Sequence, residues 1–115
     1  MLGACEKDYL APKKVEVTEI NTPVSFATDI LPILTTNCAK ANCHLAGAHS
    51  PNLSAGSAYD ELGVFVNASA PTDSRLYKLI TGTSTPVMPP AGNTNLTSTQ
   101  IGYILAWIQQ GAQNN

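Results

Sequence analysis

Apolar and polar positions follow a helical rhythm in three stretches of the chain and lose it between them. The clearest stretch lies near the C-terminus, where Ile101, Ile104, Leu105 and Ile108 recur at i, i+3, i+4 and i+7. Thr97 and Gln100 form a capping-box pattern ahead of it and Gly111 follows it, which predicts a helix between them. A second run, SRLYKLI, puts Leu76, Leu79 and Ile80 on one side, with Thr72, Asp73 or Ser74 as its cap and Gly82 as its stop. A third starts at Phe26, with Ile30, Ile33 and Leu34 on one face, Thr28 or Asp29 as N-cap, and Pro32 tolerated in the first turn. It leads straight into Cys38. Tyr103 and Trp107, four apart in the last helix, share a neighbouring face that suits core packing better than the edge of a cofactor.

Between these runs the composition is that of loops. Residues 45–57 carry Gly47, Pro51, Gly56 and several Ser and Asn, with a short helix predicted around Ala58 to Leu62, and residues 81–97 read as one long loop. Strands are nearly absent and no internal repeat is visible, so the fold class is all-α. Residues 1–24 are expected to be an end and tether, because they cluster charges with Pro12 and Pro23 and lack helical periodicity. Within them Val15 and Val17 alternate with polar neighbours in KKVEVTEI, a pattern that also fits a short extended segment lying against the domain. Residues 25–115 form the expected domain.

A chain of 115 residues fits one domain with little margin of core, so a large buried cofactor would add much apolar contact. Only 12% of residues are charged and the formal net charge is -2, which supplies no basic footprint for nucleic acid. No apolar run approaches the roughly 20 residues that span a bilayer. The cysteines number three, so at most one internal pair can form. Cys5, in LGAC, resembles the cleavage box of a bacterial lipoprotein, whose cysteine becomes the lipidated N-terminus; the alternative is an ordinary exposed thiol. That resemblance implies a periplasmic or outer-surface location and a membrane contact through the lipid alone.

The other two cysteines lie in CAKANCH. Cys38 and Cys43, followed at once by His44, provide two thiols for covalent haem attachment and an imidazole for the iron. The common attachment run separates its cysteines by two residues, Cys-x-x-Cys-His, whereas Ala39, Lys40, Ala41 and Asn42 intervene here. Other readings remain open at this point. A Cys38–Cys43 disulfide suits an oxidising compartment but leaves His44 without a task. A zinc site wants four Cys or His ligands, and only His49 could complete the set. A redox dithiol lacks both the two-residue spacer and a βαβ pattern.

Met88 stands far along the chain in STPVMPPAG, between Pro86 and the pair Pro89 and Pro90. Each proline fixes its own φ and restricts the residue before it. Such a loop suits a thioether held against iron better than the adaptable filling that core methionines provide. His44 and Met88 on opposite sides of a haem would favour electron transfer, since methionine raises the reduction potential. With His44 on iron, no Cys-His or Ser-His pair keeps its base, so no enzyme is expected.

From Phe26 to Ala112 the chain resembles a bacterial c-type cytochrome domain, through FATDILPIL, CAKANCH, SRLYKLITG, VMPPAG and LTSTQIGYILAWIQQGA in that order. The resemblance implies one covalently attached haem c, thioether links at Cys38 and Cys43, His44 as proximal ligand and Met88 as distal ligand. It implies a small cytochrome c-like fold whose first and last helices cross near the haem. The function it implies is single-electron transfer between redox-protein donors and acceptors of the cell envelope. Alternatives are a fixed electron-entry subunit, a building block of a multi-cytochrome assembly, or a haem-free binding module stapled by a disulfide. The four-residue spacer departs from the commonest family pattern and bears on the geometry at Cys38.

Overall fold

The computed structural model describes residues 16–39, 43–44, 50–84, 87–90 and 95–115. Among them every regular element is helical and none is a strand, so the described part of the chain is all-α. None of these helices is long and apolar enough to cross a membrane.

The first helical segment opens as a widened π-helical turn, Phe26–Ile30, and continues as α1, Leu31–Asn37. Its cap is Ser25 and not Thr28 or Asp29. The Ser25 hydroxyl accepts from the Thr28 N–H at 3.1 Å, and the Asp29 carboxylate reaches back to accept from the Ser25 N–H at 2.9 Å. Thr28 and Asp29 are thus the inner half of a reciprocal cap. The wide turn comes just before Pro32, which has no N–H for the helical ladder and crowds the carbonyl one turn back.

Ala58–Leu62 forms α2, followed by a 3₁₀ turn at Gly63–Phe65, and a second 3₁₀ turn at Pro71–Asp73 leads into α3, Arg75–Ile80. Ser74 precedes α3 but does not cap it with its side chain. It is fully buried, and its hydroxyl accepts from the Asn67 N–H at 2.7 Å, tying the preceding loop to the start of the helix. α4, Ser98–Gln109, carries the capping box that Thr97 and Gln100 predict, with bonds of 3.1 and 2.8 Å. Gly82 and Gly111 adopt φ of +78° and +106°, the left-handed region that ends a helix most cheaply at glycine.

One side of the core is aromatic. Phe26 lies 5.2 Å from Tyr59 and 5.3 Å from Trp107, ring centre to ring centre, and so joins the first helical segment to α4. Trp107 is 1% exposed, and its indole N–H donates to the Gln113 carbonyl at 2.8 Å. Tyr59 donates to the Ala112 carbonyl, also at 2.8 Å. Each ring therefore buries its apolar body while its polar tip is satisfied.

The extended segment 16–24, expected to belong to the tether, lies along α4. Thr18 N–H donates to the Ser98 carbonyl at 3.1 Å, Val24 N–H to the Gln110 side chain at 2.9 Å, and that same amide donates to the Thr22 carbonyl at 3.0 Å. Val24 is 3% exposed, and Val17 and Ile20 pack on the core. Gly102 permits the approach: a Cβ there would collide with the Thr18 carbonyl. Val15 lies outside the described residues; Val17 belongs to a segment whose partner is a helix, which periodicity in one segment cannot reveal. Cys5 lies outside the described residues.

Candidate functional site

On the side of the core away from the aromatic cluster, the end of α1, α3, the Ser50–Leu53 segment and the Met88–Pro90 segment enclose a mostly apolar cavity of about 470 Å³. Ile104 is the α4 residue that reaches it. Cys38, Cys43, His44 and Met88 all line this one cavity. Trp107 and Tyr103 do not; Trp107 belongs to the aromatic core, with Tyr103 packed half-buried against the same core.

Cys38 sits at the C-cap of α1, its N–H donating to the Leu34 carbonyl at 2.8 Å. The Cys38 carbonyl in turn accepts the His44 N–H at 2.9 Å, so the chain closes back on itself across the four-residue spacer. No disulfide joins Cys38 to Cys43. Residues 40–42 of the spacer, and with them Lys40, lie outside the described residues, as does His49. Among the described residues no three His, Cys, Asp or Glu side chains group as a metal site.

His44 is oriented by the backbone of the next loop. Its Nδ1 is 2.9 Å from the Pro51 carbonyl oxygen, and its own carbonyl accepts the Leu53 N–H at 2.7 Å. A carbonyl can only accept, so Nδ1 is the donor, and in the neutral ring Nε2 keeps its lone pair for a metal. This is how ligating imidazoles are commonly held. Nothing in the sequence singled out Pro51 for the task, because any backbone carbonyl could perform it and only the loop's path decides which does.

Met88 reaches the cavity from a different direction. Its N–H donates to the Leu79 carbonyl at 2.9 Å, which anchors the loop to the end of α3, and its side chain is half-buried against the core. Arg75, the first residue of α3, also lines the cavity, with its guanidinium carbon 5.2 Å from the centre of the Phe65 ring. Its position was not legible in sequence, since Phe65 and Arg75 meet only through the turns between α2 and α3.

The donor set and the cavity fit a haem. The volume lies within the roughly 300–1,000 Å³ typical of cofactor sites. The lining supplies two thiols for two vinyl groups, an imidazole with Nε2 available, a thioether from a separate segment and apolar walls for the ring. The cavity is partly open to solvent and its walls are largely apolar, so a ligand with an apolar body would cover surface that water otherwise wets.

Compared with known proteins, the chain matches no family model, no curated protein and no solved structure. The functional reading therefore rests on the residues and their arrangement.

Proposed function

We propose that this chain is a monohaem c-type cytochrome of the bacterial cell envelope, with the small cytochrome c-like fold, that passes single electrons between redox proteins. One observation carries the reading more than any other: Cys38, Cys43 and His44 share one apolar cavity with Met88, which follows them by 44 residues in sequence. An accidental CxxxxCH run would have no reason to face a proline-flanked methionine.

Haem held there would supply one-electron redox chemistry at iron. The Cys38 and Cys43 thiols would each add across a vinyl group: a carbon–sulfur bond forms, the thiol hydrogen goes to the neighbouring carbon, and no oxidant is consumed. His44, steered by Pro51, and Met88 would hold the iron through Nε2 and the thioether sulfur. Iron held by two protein ligands would favour electron transfer over catalysis. Lipidation at Cys5 would keep the domain at the membrane surface, in the periplasm or on the outer face.

Expression in a host with haem-attachment machinery tests this directly. The product should be coloured, should keep its haem through denaturation, and should exceed the polypeptide mass by one haem. Colourless protein of bare polypeptide mass would end the cytochrome reading. In the coloured product Met88→Ala should remove the weak sulfur-to-iron band of the oxidised form and lower the potential; an unchanged band would assign the sixth ligand elsewhere.

A further inference from the structure

We infer that Arg75 binds a propionate carboxylate of the haem and, through its charge, raises the reduction potential of the site. The inference rests on the haem reading and deepens it.

A haem offers its pocket an apolar ring and two carboxylates. The ring matches the walls; the carboxylates need donors. Arg75 is the one cation among the described residues that line the cavity, and no acid appears beside it there. Asn37, the nearest alternative by type, already donates its side-chain N–H to the Ile33 carbonyl at 3.0 Å. Among the described residues Arg75 makes no ion pair; its interaction is the 5.2 Å stack on Phe65. That stack restrains the long side chain and leaves the planar fork of N–H groups available, the geometry that suits bidentate binding of a carboxylate. Though exposed, Arg75 has a ring beneath it and the cavity beside it.

The electrostatic consequence has a definite sign. A positive charge near the iron disfavours the oxidised, more positive state, and it also neutralises a propionate that would otherwise favour that state. Both effects raise the potential. Because Arg75 is exposed, solvent and salt screen part of its charge, so the effect should shrink as ionic strength rises.

Potentiometry and resonance Raman spectroscopy on the holoprotein read both parts. Arg75→Gln should lower the midpoint potential, most at low salt, and shift the propionate bending band, with the axial-ligand spectrum unchanged. Arg75→Lys, which keeps the charge but not the fork, should shift the propionate band while moving the potential less. If Arg75→Gln does not accumulate with haem, Arg75→Lys alone decides through the band. A coloured wild type whose variants leave both potential and propionate band unchanged would overturn the assignment of Arg75 while sparing the cytochrome reading. A colourless wild type would overturn both.

Discussion

The two sides of this small core are built on different principles. On the aromatic side, Phe26, Tyr59 and Trp107 meet ring against ring, their polar tips are bonded, and the extended segment 16–24 is laid across α4 as a cover. On the other side, Leu34, Leu62, Leu76 and Leu79 are as apolar as any core residue, yet they face a cavity shared with two thiols, an imidazole and a thioether. Close packing of protein against protein accounts for the first side. The second has the walls of a core without the interdigitation, which is the form a binding site for a large apolar group takes. The difference teaches where packing is complete and where it is left open: the aromatic side is closed by protein against protein, and the cavity side is where the proposed haem would be held.

That division can be broken by substitution. The largest effect is expected from Cys38→Ser combined with Cys43→Ser, which should reduce covalent haem attachment to nothing detectable by intact mass. Helical circular dichroism should survive in part, because the aromatic side is untouched; complete unfolding would show that the two sides do not separate. Next in size, Trp107→Ala removes a ring that is 1% exposed and should cost ~3–5 kcal/mol in urea denaturation. That loss should appear with or without haem, and a cost confined to the haem-loaded form would assign Trp107 to the cavity side after all. The smallest is Gly102→Ala, whose new methyl would collide with the Thr18 carbonyl and should cost ~1–3 kcal/mol by displacing the segment it faces. Faster hydrogen exchange at the Thr18 amide, with the visible spectrum unchanged, is the expected signature. A spectral change would instead couple the cover to the cavity.

The elements most legible in sequence were those whose signals are local. The stripe Ile101, Ile104 and Ile108 and the box of Thr97 and Gln100 specify α4 because helical periodicity and capping act over a single turn or two. The short α2 and the stop at Gly82 belong to the same class. The cap of the first helical segment was misread by a few residues. Pro32 lies close to the true start, and the widened turn shifts the boundary back to Ser25, which a fixed period of 3.6 does not anticipate.

By itself the sequence determined the helical class and the position of the main helices, and it supplied the four residues on which the haem proposal rests. Only the tertiary structure decided that Cys38, Cys43 and His44 border the same cavity as Met88, Pro89 and Pro90, that Pro51 orients His44, that Arg75 stands over Phe65 beside it, and that residues 16–24 lie on α4. The physical reason is range. Propensity, capping and periodicity are short-range properties written in neighbouring residues, whereas a backbone carbonyl meeting an imidazole, or a glycine admitting another strand of chain, depends on where distant segments are carried when the apolar faces close together.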